Sequence, residues 1–160
     1  MEDEIEFLEK TLARLLEWNR TADSKVPPIL AICTSMLAVV AALFPKISCW
    51  TILSIIIGIF AISPLILCLF FLFFATFPRT QGPKRSLCYF EGIKTYDPKS
   101  YLDEIIKITD EQYSADLASQ CHRNAEIASI KYQQIKIALG LLFFSVIPWI
   151  LFIFILYRGK

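Results

Sequence analysis

The chain has 160 residues, of which 56% are hydrophobic and 19% charged, against roughly 45–50% and about 25% in an ordinary soluble domain; its mean hydropathy is +0.54. Sixteen Lys and Arg against fifteen Asp and Glu leave a net charge of +1, which fits neither a nucleic-acid binder with a global positive excess nor an acidic solvating chain. Five cysteines, an odd number without C-x-x-C spacing, argue against a disulfide framework or a zinc site and read as reduced side chains that pack like small hydrophobes.

Residues 2–24 read as a helix, because Ile5, Leu8, Leu12, Leu15, Leu16 and Asn19 recur at steps of three and four with charge on the other face. Residues 1–25 carry seven acids and four bases, so the stripe favours a protein helix as its partner over a membrane surface, whose helices carry basic polar faces. Pro27-Pro28 follow and predict either a bend or the first turn of a new helix. A secretory signal would begin with basic residues and an early apolar stretch. This chain opens Glu2-Asp3-Glu4 and its first apolar run starts at Val26, so that run is expected to be retained.

Val26 to Phe44 is an uncharged run of 19 residues, Trp50 to Phe77 one of 28 and Ile137 to Tyr157 one of 21; about 20 helical residues cross the hydrocarbon core. The second run, about 42 Å long as a helix against a core of about 30 Å, has to tilt, kink or protrude. Pro64 within it and Pro148 in the third run each remove a backbone hydrogen bond, and read as passive kinks, with a bend used in opening as the alternative. No run contains Asp, Glu, Lys, Arg or His, which disfavours a proton relay, a voltage sensor or a charged ion site within the bilayer. The hydroxyls of Thr34, Ser35, Ser54, Ser63 and Ser145 are expected to bond to the backbone or to a neighbouring helix.

The first two runs are joined by Pro45-Lys46-Ile47-Ser48-Cys49, room for a tight hairpin only. Residues 1–25 hold four Lys and Arg and residues 78–136 hold nine, thirteen of the sixteen, and the positive-inside rule places both segments in the cytoplasm. The expected fold is therefore an all-α integral membrane protein with three transmembrane helices: a cytoplasmic amphipathic helix at 1–25, a transmembrane hairpin at 26–77 (26–44 and 50–77), a cytoplasmic connector and helices at 78–136, a third transmembrane helix at 137–157 and an external tail at 158–160. Residues 78–98, with Pro78, Gly82, Pro83, Gly92 and Pro98 and the bases Arg79, Lys84 and Arg85, read as an irregular connector. Asp97-Pro98 opens a helix with a short apolar face of Leu102, Ile105 and Ile106. Thr109 to Gln112 has the form of a capping box. It starts a last helix of about 45 residues, roughly 70 Å, that continues into the third span.

No catalytic constellation is present: there is no phosphate loop, no H-E-x-x-H, and the single His122 cannot build a His-based metal site. The acid pairs Asp103-Glu104 and Asp110-Glu111 suit the positive ends of helices. Two blocks border the spans. In Trp18 to Lys25, Trp18, Ala22 and Lys25 share one helical face and Arg20 can reach Asp23 at i,i+3. In Asn124 to Tyr132, Asn124, Ala128 and Lys131 share a face. The plain reading of both is interfacial anchoring by Trp, Tyr and Lys.

The W-x-R-x-A-D-x-K block at Trp18 to Lys25, the Tyr89-Phe90 and Tyr101-Leu102 pairs and the I-A-x-x-K-Y block at Ile127 to Tyr132 resemble the membrane effector domain of Pycsar antiphage systems, over nearly the whole chain. The resemblance implies a defence effector of the cell inner membrane. In that family a pyrimidine nucleotide cyclase makes cyclic UMP or cyclic CMP on infection, and the effector then impairs the membrane and causes abortive infection. Carried over by position, Trp18, Arg20, Asp23, Lys25, Asn124, Lys131 and Tyr132 are candidates for ligand binding or for coupling the helices. A cyclic nucleotide asks for a cationic donor and an aromatic face. Two clusters supply these: Trp18, Arg20 and Lys25 with Lys131 and Tyr132, or Lys84 and Arg85 with Tyr89 and Phe90. No run of alternating strands exists to build a nucleotide-binding β-barrel, so a pocket between self-associating subunits is attractive. No cofactor and no nucleic acid are expected, and the partners are the lipid bilayer and the cyclase. The competing functions are a membrane-anchored interaction subunit and a holin-like lesion former that needs no ligand.

Overall fold

The computed structural model describes residues 2–46, 51–80, 82–83 and 86–158, and among them there are helices, turns and no strand. In chain order, α1 spans Glu2–Leu43 and is followed by a single 3-10 turn at Phe44–Lys46; α2 spans Ile52–Thr76, α3 Phe90–Ile93, α4 Pro98–Lys107 and α5 Asp110–Arg158. Helices α1, α2 and α5 are long and apolar enough to cross a membrane. The chain divides into two compact units, one of Met1–Ala22 with Pro78–Ile130, the other of Asp23–Phe77 with Lys131–Lys160.

Helix α1 runs through Pro27 and Pro28 without interruption, so the N-terminal amphipathic segment and the first apolar run are one helix. Two prolines withhold two N–H groups from the helical ladder. Around them Ala22, Val26, Ile29 and Cys33 are all buried, and this packing holds the helical path. The buried positions Leu15, Asn19, Ala22, Val26, Ile29 and Cys33 alternate steps of four and three, a heptad seam that favours left-handed supercoiling. Helix α5 repeats the pattern through Ala128, Ile135, Ala138, Leu142, Ser145, Phe152 and Leu156, and α2 through Ser54, Gly58, Ala61, Leu65, Cys68, Leu72 and Ala75.

In both units α1 and α5 run parallel. Glu9 meets Tyr113 and Asn19 meets Asn124 in the first; Asp23 meets Lys131 and Met36 meets Trp149 in the second. Helix α2 runs antiparallel to α1: the Cys33 thiol donates to the Leu65 carbonyl at 3.3 Å, while Val40 shares a buried cluster with Ala61, Phe152 and Leu156. Small residues on α2 allow this approach, since within lipid the packing itself drives association. The hydroxyls behave as expected: Thr34 donates to Leu30 O, Ser35 to Ala31 O, Ser63 to Ile59 O and Ser145 to Leu142 O. Ser54, the last of the five hydroxyls named from the sequence, forms a capping box with Thr51 at the start of α2.

Gly58 of α2 lies close against Phe152 of α5. A Cβ there would lie 2.9 Å from ring atoms of Phe152, itself 1% exposed, so the ring has to shift to admit it. Overpacking of this kind costs about 1–3 kcal/mol. Gly58→Val is therefore expected to lower the melting temperature of the detergent-solubilised protein, and adding Phe152→Leu to restore part of the loss. Equal melting of wild type and Gly58→Val would refute this contact.

The first unit is built on its caps. Asp97 accepts from the Lys99 and Ser100 amides at 3.0 and 3.2 Å and opens α4. Thr109 and Gln112 exchange the two bonds of a capping box at 3.2 and 3.3 Å and open α5. Both agree with the sequence pattern, and α5 is one helix of 49 residues.

Candidate functional site

The two sequence blocks meet in the second unit. The Lys131 ammonium donates to both Asp23 carboxylate oxygens, at 2.7 and 2.8 Å, and the Lys25 ammonium stands 4.8 Å from the centre of the Tyr132 ring. Asp23 and Lys25 flank the α1 seam on opposite sides, the positions from which charged side chains reach a neighbouring helix. The Lys131 side chain is 14% exposed and that of Asp23 51%. The pair therefore ranks above a fully exposed one, worth about 0–1 kcal/mol, and the burial is one-sided. Both cations are engaged within the chain, an arrangement that holds α1 to α5.

Trp18 and Arg20 do not join this cluster. At about 100° per residue Arg20 lies roughly 140° from the seam centre through Ala22 and Val26, whereas Trp18, roughly 60° from it, lies on the same flank as Lys25 one heptad earlier. Trp18 is exposed. Arg20 lies 3.9 Å from Glu17, and the partner of Asp23 is Lys131. In the first unit Asn124 donates to Gln120 O at 2.9 Å, and its own carbonyl accepts from the Asn19 amide nitrogen at 3.2 Å. Asn19 is buried in the seam and its carbonyl oxygen Oδ1 has no partner among the described residues. Lys84 and Arg85, the bases of the alternative phosphate cluster, lie outside the described residues. Tyr89 of that cluster packs at 4.7 Å on Phe90, donates its hydroxyl to Thr80 O at 2.9 Å, and burial pushes its phenol up.

Sequence reasoning misses the device that orders the connector. Asp116 Oδ2 accepts from the Ser86 hydroxyl and the Leu87 amide, both at 3.0 Å. Ser86 Oγ in turn accepts from the Cys88 and Tyr89 amides and the Gln120 side chain, and the Tyr101 hydroxyl donates to Leu87 O at 2.8 Å. The chain passes so close that a Cβ on Gly92 would lie 2.2 Å from Ser86 O. The described residues of the connector before α3 are irregular in secondary structure, as expected, and hydrogen bonds from Ser86 and Leu87 tie them to α5. A signal exists in Asp116 and Gln120, polar residues at i,i+4 beside the apolar Leu117 and Cys121.

The same unit ties the start of α1 to α5 through Tyr113, whose hydroxyl donates to Glu9 at 2.8 Å. That bond, with burial and the Glu9 charge, pushes the phenol up to about 12. A raised pKa means the neutral phenol contributes stability in full below its unfolded value of about 10, and the contribution is lost as pH rises from there through the folded value. In a tyrosinate absorbance titration, Tyr113→Phe should remove one late-titrating phenol, and Glu9→Gln should bring it back toward the ordinary range. A titration unchanged by Tyr113→Phe would refute the assignment.

The family model described as the Pycsar effector protein domain matches residues 7–158, a span that includes both blocks and the connector. No curated protein and no solved structure matches the chain.

Proposed function

The chain belongs to the Pycsar effector protein domain family, and from that premise we propose that it is activated by a cyclic pyrimidine nucleotide, cyclic UMP or cyclic CMP, made by a partner cyclase, and then impairs the inner membrane so that the infected cell dies before phage matures. Family membership itself carries the role of antiphage defence effector. The observation that carries the finer reading is the pairing of the two blocks, Asp23 with Lys131 and Lys25 with Tyr132, on helices that continue into the first and third apolar runs. A signal that shifts α5 against α1 has to break or re-register these pairs, and the spans move with them. The chain acts as a switch without turnover. A potential-sensitive dye in cells carrying this chain tests the reading. Depolarisation is expected when the cyclase is present and its product is made. Depolarisation without a cyclase would favour the holin-like reading and refute ours.

In this reading residues 1–25 and 78–136 are cytoplasmic and the C-terminus is external. The parallel course of α1 and α5 supports three crossings, since first and third spans cross in the same direction, and the thirteen Lys and Arg of residues 1–25 and 78–136 support the cytoplasmic side. Reporter fusions after Ala22 and Asp110 should be active only with cytoplasmic reporters, and a fusion after Arg158 only with an external one; a cytoplasmic signal at Arg158 would overturn the topology. One observation favours the interaction-subunit reading: α4 has no buried residue, and Leu102 and Ile106 are exposed. If Leu102→Ser with Ile106→Ser abolished protection while depolarisation by the cyclase product persisted, that reading would gain over ours.

A further inference from the structure

A signal-gated effector needs a site for its signal, and the Lys25 and Lys131 ammonium groups are already occupied by Tyr132 and Asp23. The first unit holds a cavity of about 740 Å³ between the connector, the end of α4 and the first turns of α5, within the range of roughly 300–1,000 Å³ typical of small-molecule sites. Hydrogen bonds hold two parts of its wall. Asp116 clamps Ser86 and Leu87, and the Thr109–Gln112 capping box sets the corner between α4 and α5. A preformed site saves the ordering cost of binding.

The lining specifies the ligand. Lys107 is the one cation among the described lining residues, and among the described residues it has no ion-pair partner. Asp116 already accepts two hydrogen bonds from the protein, which leaves Glu104 as the uncommitted carboxylate. A cation beside a carboxylate suits a monoanion that carries hydrogen-bond donors of its own. Tyr96 adds an aromatic ring to the wall, a surface on which a planar base stacks. A cyclic mononucleotide has these parts: one negative phosphodiester, a planar base and a ribose hydroxyl.

We propose that this cavity binds the cyclic mononucleotide, with Lys107 on the cyclic phosphate, the Tyr96 ring against the base and Glu104 accepting from the ligand's donors. The proposal rests on activation of this chain by a cyclic nucleotide. It also gives that activation a route: Asp116 and Ser119 in the cavity wall belong to α5, the helix that carries Lys131, so a ligand drawn between α4 and α5 loads the helix that holds the α1 pairs.

Calorimetric titration of the full-length, detergent-solubilised protein with cyclic CMP and with cyclic UMP tests both layers. The wild type is expected to bind at least one of them. Lys107→Glu and Tyr96→Ala should each weaken binding by about tenfold or more, the loss expected for a charge-assisted bond or a stacked ring. Lys107→Arg should keep most of the affinity. Lys107 and Ser119 are exposed, so their variants do not threaten the fold. Ser119→Trp, which fills the cavity from α5 without altering charge, should also abolish binding. Undiminished affinity in Lys107→Glu and Ser119→Trp would overturn the cavity and leave nucleotide activation standing. Absence of binding of either nucleotide to the wild type would overturn both.

Discussion

Asp23→Ala and Lys131→Ala are each expected to abolish signal-dependent killing while the protein still inserts, and Asp23→Ala to be the more destabilising of the two. The asymmetry follows from burial. Removing the aspartate leaves a lysine whose side chain is 14% exposed without its counter-charge, whereas removing the lysine leaves an aspartate whose side chain is 51% exposed and can turn to water. Breaking a fully buried pair costs about 3–5 kcal/mol and losing an exposed one about 0–1 kcal/mol; Asp23→Ala should fall between these limits and Lys131→Ala near the lower. The charge-swapped protein, Asp23→Lys with Lys131→Asp, should recover part of the activity, because the helices still bring the two positions together. Phage protection and thermal melting at matched membrane levels measure both effects. A swapped protein no better than either single variant would show that the two residues act separately. Equal melting of the single variants would refute the burial argument.

That pair is legible in the amino-acid sequence, because Asp23 and Lys131 each sit a few residues ahead of an apolar run and so reach the same depth. The spans and the caps at Asp97 and Thr109 are legible for a similar reason: each is a local pattern with a local cause. Where the cause is tertiary, sequence reasoning stops short. Pro27-Pro28 argue locally for a break, yet α1 continues because Val26, Ile29 and Cys33 lock it into a seam on both sides of the prolines. Trp18 stands at i,i+4 from Ala22, but it lies on the flank of the seam, where its ring stays exposed. The glycines and prolines of the connector suggest irregular chain. Gly92 in fact marks a close approach to Ser86, and the organiser, Asp116, lies 30 residues away in sequence, beyond the reach of any local rule. The run of four-three steps along α1 and α5 is the stronger signal, and it places Asn19 and Asn124 in one seam.

Asn19 carries the second large prediction. A polar amide at a heptad seam specifies register at a cost in stability. Here its nitrogen donates to Leu15 O within α1 and to Asn124 O on α5, at 3.0 and 3.2 Å, while Oδ1 is buried with no partner among the described residues. An unsatisfied buried acceptor costs about 1–3 kcal/mol. Asn19→Leu removes that cost and adds apolar contact, so it should raise the melting temperature. It also removes the cross-helix bond that distinguishes this register from one shifted by a heptad, so the more stable protein should protect less well against phage. Asn19→Asp places a charge in the same seam and should destabilise the protein outright. The opposed signs separate a register lock from an ordinary core position, at which losing stability and losing function go together. An Asn19→Leu protein that melts higher and still protects fully would show that the amide is tolerated in the seam without being used, and one that melts lower would show that Oδ1 is satisfied in the membrane-embedded protein.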